Sequence, residues 1–185
     1  MQFEPTPIPG AFVIRLSPFI DERGAFSRLF CENELAEIGY KQRIVQINHS
    51  INKEKGTLRG LHFQRPPHAE IKIIRCLHGR VFDVMVDLRK GSPTFSQWYG
   101  VELSPEAYNM ICIPMGCAHG FQTLEENSEL LYFHTAFYNK EYDGGVRFDD
   151  PQFSIHWPLP PVNVSEKDKS YALLDDAFGG IMPFD

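Results

Sequence analysis

The sequence lacks any long apolar run. No stretch of its 185 residues approaches the ~20 consecutive apolar residues that cross a membrane. The first residues, Met1–Pro5, do not open a basic segment followed by an apolar stretch, which is the pattern of a secretory signal. We therefore expect a cytoplasmic protein without a membrane partner.

Positive charge is also scarce. Lysine and arginine total 18 against 24 aspartate and glutamate residues, so the formal net charge is −6. The charges are spread without long runs, which argues against nucleic acid as the main partner. An anionic small ligand remains open wherever basic residues gather locally.

Cysteine is infrequent and has no metal-binding spacing. The four cysteines, Cys31, Cys76, Cys112 and Cys117, sit among apolar residues and form no CxxC pair. We interpret them as reduced thiols in the core.

What the chain has in abundance is short segments rich in Val, Ile, Phe and Tyr, each closed by Gly, Pro, Asn or Asp. This rhythm predicts an all-β sandwich or barrel, and the spacing leaves no room for crossover helices. Length and composition fit one domain over residues 1–185, with a barrel core at about 43–137. The predicted strands lie at 11–16, 25–30, 43–49, 57–64, 70–77, 80–88, 95–103, 108–113, 118–124 and 129–137.

Only short peripheral helices are predicted, at 31–39, ended by Gly39, and at 165–174. Residues 139–163, rich in Gly and Pro, are expected to form an ordered loop. Within 81–88 the alternation is clear, because Val84 and Val86 share one face and Asp83 and Asp87 share the other. We expect the first face to lie in the core, whereas the second can be in contact with water.

Polar residues interrupt several of these strands. Arg59 and His62 lie in the apolar segment 58–64, Lys72 lies on the next strand, His119 follows a turn, and Tyr132 lies on the strand after that. A barrel would let them converge at its mouth, which is a common place for a small-ligand site.

Seven segments carry a resemblance to a known family. They are DERGAF at 21–26, LRGLHFQ at 58–64, VFDVMVDLRKGSPTF at 81–95, IPMGCAHGF at 113–121, LLYF at 130–133, DDPQFSIHWPLP at 149–160 and SEKD at 165–168. In these segments and their order the chain resembles the dTDP-4-dehydrorhamnose 3,5-epimerases. The resemblance implies a cupin-like double-sheet jelly-roll barrel, a homodimer, and a reaction without metal or organic cofactor.

The resemblance also implies an acid–base site for a 4-keto-6-deoxy sugar on a nucleoside diphosphate. Epimerisation removes a proton beside the ketone from one face and returns it on the other. His62 resembles the base and Asp168 the group that orients it, Lys72 the cation that stabilises the enolate, and Tyr132 the acid. The expected substrate-binding residues are Arg23, Arg28, Gln46, Asn48, Arg59, His119, Asp143 and Lys167.

Two positions depart from the family pattern and bear on the substrate. Arg28 occupies a position where many members have an acid near the nucleotide base, and Asp143 occupies one where glutamate is frequent. His134 lies on a strand whose polar positions vary among such enzymes. Arg28 motivates the hypothesis of a cytidine-linked sugar. The catalytic set leaves open whether carbon 3, carbon 5 or both are inverted.

Each assignment has a structural alternative. Ser165 to Asp168 reads as a helix-capping box, Tyr132 as a packing residue, Lys72 as a solvent-facing strand lysine, and Asp83 as a structural hydrogen-bonding partner.

Two alternative functions also remain open. His62, His68, Glu70 and His119 supply metal-ligand types, so a metal-dependent cupin is one, although Pro66 and Pro67 separate the first two histidines. The other is a sugar-nucleotide binding module without catalysis.

Overall fold

The computed structural model describes residues 1–175 and 177–182, and strands dominate it. The strands are β1 (Gln2–Pro5), β2 (Phe12–Arg15), β3 (Phe19–Asp21), β4 (Gly24–Phe26), β5 (Gln46–Asn52), β6 (Leu58–Gln64), β7 (Lys72–His78), β8 (Val81–Asp87), β9 (Trp98–Leu103), β10 (Asn109–Ile113), β11 (Cys117–Thr123), β12 (Ser128–His134) and β13 (Asp143–Gly145). The helices are short: α1 (Glu32–Leu35), extended by a 3₁₀ turn at Ala36–Ile38, and α2 (Glu166–Ser170).

The strands form two antiparallel sheets and a separate hairpin. The six-stranded sheet has the order β1-β2-β10-β7-β12-β5, and the five-stranded sheet has the order β13-β6-β11-β8-β9. The hairpin consists of β3 and β4. This double-sheet arrangement confirms the predicted all-β, cupin-like fold class.

Apolar side chains fill three layers. One cluster lies between the sheets and joins Val13 and Ile74 of the first sheet to Val81 and Met85 of the second. A second cluster covers the outer face of the five-stranded sheet with the C-terminal segment 153–181, and a third covers the outer face of the six-stranded sheet with α1. Both faces of each sheet are therefore largely shielded from water.

This layering corrects the prediction for residues 81–88. Asp83 and Asp87, expected on a face that can be in contact with water, are fully buried. Asp87 is satisfied by the Arg89 guanidinium at 2.8 Å and by the Thr94 hydroxyl at 2.7 Å. Burial opposes ionisation of Asp87, but these hydrogen bonds outweigh it and lower its pKa to about 2.

Several predicted boundaries need correction. The strand at 25–30 ends at Phe26, the helix at 165–174 covers only Glu166–Ser170, and Asp143 lies in β13 rather than in a loop. Strands β1, β3 and β13 had not been predicted, because segments of three or four residues carry too little alternation to register. The helical segment after Cys31 does end at Gly39, whose φ of 80° is left-handed.

The cysteines are free thiols, as expected, and Cys76, Cys112 and Cys117 are buried. Burial raises the pKa of each of these three to about 12, so they remain protonated. Cys31 is partly exposed, so its assignment to the core was wrong. Across the residues that the structure describes, no helix is both long and apolar enough to cross a membrane.

Candidate active site

Strands β6 and β11 approach each other unusually closely at two glycines. A Cβ on Gly60, whose φ is +117°, would lie 2.6 Å from the Gly120 Cα, and a Cβ on Gly120 would lie 2.6 Å from the Arg59 carbonyl oxygen. No larger residue fits either position without moving a strand. The two glycines therefore set the separation between β11 and β6, the strand that carries Arg59 and His62.

An irregular register at this crossing places Arg59 and His62 beside the same cavity. His119 pairs with His62 and Phe121 pairs with Arg59, so three steps along β6 match two along β11. In a regular strand, residues three apart point to opposite faces. The extra residue in β6 removes that separation and brings both side chains to the inner side.

His62 is held by a buried carboxylate. Its Nε2 donates to Asp168 Oδ1 at 2.6 Å, and Asp168 Oδ2 accepts from the Gly60 N–H at 3.2 Å. Burial would raise the pKa of Asp168, but the bonds from His62 and Gly60 outweigh burial and keep it below its ordinary value. Because the carboxylate only accepts, Nε2 carries a proton, and Nδ1 is the nitrogen left to accept one.

Asp168 also belongs to the cap of α2 through its backbone N–H, which leaves its side chain free to contact His62. The Ser165 hydroxyl accepts from the Asp168 N–H at 3.1 Å, while the Asp168 side chain turns away towards β6. The cap fixes the backbone from which the carboxylate reaches His62.

The opposite wall is formed by neighbouring strands β7, β12 and β5. Lys72, His134 and Gln46 are cross-strand partners in one row, and Tyr132 and Asn48 are partners in the next. Residues two apart on a strand share a face, so both rows point into the space between the sheets.

Tyr132 is partly buried on this wall, where its ring packs against the cluster between the sheets. Its hydroxyl lies 3.0 Å from the Ser50 hydroxyl. Burial raises the pKa of Tyr132 well above its ordinary value, so the phenol keeps its proton. On the facing sheet, His119 Nε2 lies 2.9 Å from the carboxylate of the fully buried Asp83.

Lys72 is also largely buried, which excludes the solvent-facing alternative. Its Nζ lies 3.3 Å from Glu70 Oε1 and donates to the His62 carbonyl at 3.4 Å. The other oxygen of Glu70 accepts from His134 Nδ1 at 2.7 Å. Burial works against ionisation of Glu70, but His134 and Lys72 overcome it and hold its pKa below the ordinary value.

Three adjoining cavities meet at His62, which lines all of them. The cavity between the walls, of about 290 Å³, is bounded by Arg59, Lys72, His119 and Tyr132 among others. A second of about 440 Å³ extends towards α2, and a third of about 180 Å³ extends towards β13. We call these three cavities together the recess, and adjoining cavities of this kind suit an extended ligand.

Ten of the twelve site residues predicted from the sequence line these cavities: His62, Lys72, Tyr132, Asp168, Gln46, Asn48, Arg59, His119, Asp143 and Lys167. Asp143 contacts the Lys167 ammonium and accepts from the Tyr138 hydroxyl at 3.3 Å. Partial burial lowers the pKa of Lys167, but Asp143 reverses this and raises it above the ordinary value.

The chain does not bring Arg23 and Arg28 to this recess. Arg23 lies on the β3–β4 hairpin with 82% of its side chain exposed, and it pairs with Asp21 at 2.6 Å. Arg28 pairs with Glu34 at 2.6 Å and is also mostly exposed. The prediction that both bind the ligand is therefore not met within a single chain.

Three polar residues of the recess were not assigned a role from the sequence. Glu70 was considered only as a metal-ligand type, His134 only as a residue of a strand with variable polar positions, and Ser50 not at all. The signal that could have found Ser50 and His134 is their period of two with Asn48 and Tyr132. Nothing local distinguishes Glu70, which precedes its strand.

The donors of the metal-cupin alternative do not converge. His68 packs on Tyr142 and lies 3.2 Å from the Asn139 amide, and Glu70 is engaged by Lys72 and His134. Within residues 1–175 and 177–182, no group of three or more His, Cys, Asp or Glu side chains could hold a metal ion.

Fold and site together define a class: a cupin-like double-sheet barrel whose inner recess is lined by groups able to take up and release protons. The family model for dTDP-4-dehydrorhamnose 3,5-epimerase matches residues 5–176. The chain belongs to this family, and it is an isomerase that acts on carbohydrates.

Individual relatives agree. The chain is 45% identical over 174 residues to the dTDP-4-dehydrorhamnose 3,5-epimerase of Salmonella typhimurium, covering 93% of this chain and 94% of the relative. The crystal structure of the Elizabethkingia anophelis enzyme aligns with a TM-score of 0.91 at 41% identity, over 96% of this chain and 98% of that one. The Legionella pneumophila dTDP-6-deoxy-D-glucose 3,5-epimerase, solved with dTDP-4-keto-L-rhamnose, aligns with a TM-score of 0.92 at 39% identity, over 100% and 99%.

Proposed function

We propose that this chain inverts carbons 3 and 5 of dTDP-4-dehydro-6-deoxyglucose, removing and returning protons through an enolate. The observation that supports these roles best is the division of the site between two sheets. The His62–Asp168 pair belongs to one wall of the cavity, and Lys72 and Tyr132 belong to the other. A sugar between the walls meets a base on one face and an acid on the other.

His62 is the proposed base. The Asp168 carboxylate keeps the proton on Nε2, so Nδ1 takes the proton from the carbon beside the ketone. Asp168 then stabilises the imidazolium that forms, because an opposite charge at hydrogen-bond distance favours the charged ring.

Lys72 is proposed to stabilise the enolate. Proton removal moves negative charge onto the former ketone oxygen, and a fixed ammonium in a recess with little water lowers the energy of that state. The contacts of Lys72 with Glu70 and with the His62 carbonyl restrict its side chain before substrate arrives.

Tyr132 is proposed to return the proton from the opposite face. Its raised pKa keeps the phenol protonated at neutral pH, as an acid requires. After each transfer, solvent returns a proton to Tyr132 and takes one from His62.

The nucleotide is proposed to occupy the two outer cavities. Lys167 and Arg59 offer positive charge to the diphosphate, and Gln46 and Asn48 offer amide groups to the base or ribose. His119, held by Asp83, contributes a polar group beside the sugar.

We further propose a homodimer in which the hairpin of one protomer covers the recess of the other. Phe19, Ile20 and Phe26 of the hairpin are 64%, 66% and 77% exposed, and Ile47 and Ile51 of the edge strand β5 are also exposed. Apolar surface at a sheet edge is usually covered by a partner. Such a dimer would bring Arg23 of one protomer to the recess of the other, although Arg23 does not reach the recess of its own chain.

The dimer is tested by mixing two inactive variants. Under this proposal, Arg23→Ala and His62→Ala each fail as homodimers, because each lacks one component of every site. A hybrid restores one complete site, so an equal mixture refolded together regains activity in about a quarter of its sites. A monomer in analytical ultracentrifugation, or a mixture no more active than its components, would contradict the proposal.

The reaction itself is tested by proton NMR in heavy water. Deuterium should enter carbons 3 and 5 of dTDP-4-keto-6-deoxyglucose, and CDP-linked counterparts run alongside test the hypothesis raised by Arg28. Incorporation at one carbon only would define a specialised epimerase. His62→Ala should lose exchange yet still bind dTDP, and unchanged exchange would exclude His62 as the base.

A further inference from the structure

Lys72 lies at the buried end of a chain of hydrogen bonds, of which the proposed mechanism does not use Glu70 and His134. This hydrogen-bond chain joins side chains on or beside β7, β12 and β5 along the wall of the recess. It passes through Glu70, His134, Asn48 and Gln46, and its far end is the Tyr138 N–H, which donates to Gln46 Oε1 at 3.1 Å.

The Glu70 carboxylate fixes the direction of this chain. Both of its oxygens only accept, so the nitrogen of His134 at 2.7 Å, Nδ1, must carry a proton. In the neutral ring, Nε2 then accepts, and the Asn48 amide at 3.3 Å donates to it. The Asn48 carbonyl in turn accepts from Gln46 Nε2 at 3.2 Å. Every donor therefore points towards Glu70.

The same carboxylate holds Lys72. Its first oxygen lies 3.3 Å from the ammonium, while its second accepts from His134. Glu70 and His134 are 7% and 11% exposed at their side chains, so solvent competes little for these bonds. Aligned hydrogen bonds that end on a charge polarise one another and strengthen the whole chain.

We propose that Glu70 and His134 are positioning residues, which act through Lys72 and Asn48 by fixing the ammonium and the carboxamide that face the substrate. The kinetic part of this inference rests on the proposed function, since it takes Lys72 to be the enolate-stabilising group. The part that concerns proton positions does not depend on any activity.

Proton positions are measured first, on the unmodified protein with ring-¹⁵N histidine. At about pH 8.5, where an ordinary histidine is neutral, the His134 signal should show a protonated Nδ1 and an unprotonated Nε2. A His134→Ala spectrum identifies the signal. A ring that carries its proton on Nε2 alone would overturn the inference whatever the variants do.

The Glu70→Gln variant then removes the negative charge of this side chain and keeps its shape nearly unchanged. The amide cannot accept from both Lys72 and His134, so the His134 proton should move partly or wholly to Nε2. Deuterium exchange at saturating substrate should fall about tenfold or more, because small displacements of a reacting group are costly. Glu70→Asp, which keeps the charge, should retain the proton on Nδ1 and recover part of the rate.

A matched control is available on β5 and β12. His49 and Glu129 also form a His–Glu contact, at 3.0 Å, but it is far more exposed. Glu129→Gln should leave both the exchange rate and the His134 signal unchanged.

A double variant tests whether the two residues act as one unit. Adding His134→Ala to Glu70→Gln should cost no further rate, whereas independent roles would multiply the losses. Unchanged exchange in Glu70→Gln, in an enzyme that otherwise epimerises, would refute the positioning role and leave the proposed function standing. Absence of exchange in the unmodified protein would refute the proposed function, and the proton positions would still decide the geometry.

Discussion

Replacing Asp168 by asparagine removes one charge at the centre of the proposed mechanism and keeps the shape of the side chain. The carboxylate now accepts from His62 Nε2 at 2.6 Å and from the Gly60 N–H at 3.2 Å. An amide can accept from only one of these donors with its single oxygen. If the oxygen stays with Gly60, the amide donates to His62, and the imidazole proton moves to Nδ1, where it blocks the base.

The expected size of the loss follows from the charge that disappears. Two unit charges about 4 Å apart attract by about 4 kcal/mol at an effective dielectric constant of about 20. The imidazolium formed during proton removal loses this attraction, and about 1.4 kcal/mol corresponds to a factor of ten in rate. Asp168→Asn should therefore slow exchange by about a thousandfold.

The assay is deuterium incorporation at carbons 3 and 5, followed by proton NMR at saturating substrate. Calorimetric binding of dTDP and thermal unfolding of the variant establish that the recess is intact. Asp149→Asn provides the control, because Asp149 pairs with Arg147 on the surface. Exchange within about threefold of the unmodified rate, in a folded variant that binds dTDP, would refute the role of Asp168.

Four further outcomes are expected. Tyr132→Phe should slow epimerisation by about 10²–10⁴ with unchanged dTDP affinity, measured as product formed, and a normal rate would exclude Tyr132 as the acid. Gly120→Ala should lower the free energy of unfolding, measured in urea, by about 1–3 kcal/mol, because the added Cβ would lie 2.6 Å from the Arg59 carbonyl oxygen. In the control Gly179→Ala, the added Cβ meets no atom within 4 Å, so the free energy of unfolding should change little. Because the pKa of Asp168 is lowered in the folded state, its carboxylate stabilises the fold above the unfolded value of about 4, and this contribution is lost as the pH falls through the folded value, so the difference in the free energy of unfolding between the unmodified protein and Asp168→Asn should narrow as the pH falls below about 4. Elemental analysis should find no stoichiometric iron, manganese or zinc, and chelation should leave the exchange rate unchanged; activity restored only by added metal would favour the metal-cupin alternative.

Strand positions were largely predictable because alternation of apolar and polar residues is a local property. The pattern within a segment such as 81–88 predicts a strand without information about the segments that pack against it. The polar residues within them were visible for the same reason, so His62, Lys72 and Tyr132 could be singled out before their surroundings were known.

The alternation of residues did not predict which faces of the sheets are in contact with water. Asp83 and Asp87 share the face of β8 that carries Val81 and Met85, and this face packs against the six-stranded sheet, so both carboxylates are buried. The covering strands are distant in sequence, and the local pattern contains no trace of them.

The site, too, has features that could be predicted from the sequence and features that could not. The sequence by itself determined the strands and the chemical types of the groups they carry, because periodicity and residue identity are local. Tertiary structure alone decided that the irregular β6 turns Arg59 to the side of His62, that Asp168 reaches His62 across 106 positions, and that Arg28 pairs with Glu34 instead of lining the recess. It also made Glu70 a partner of Lys72 and His134. These relations depend on close approach between strands and segments far apart in the chain, and packing sets such distances only after the whole chain has folded.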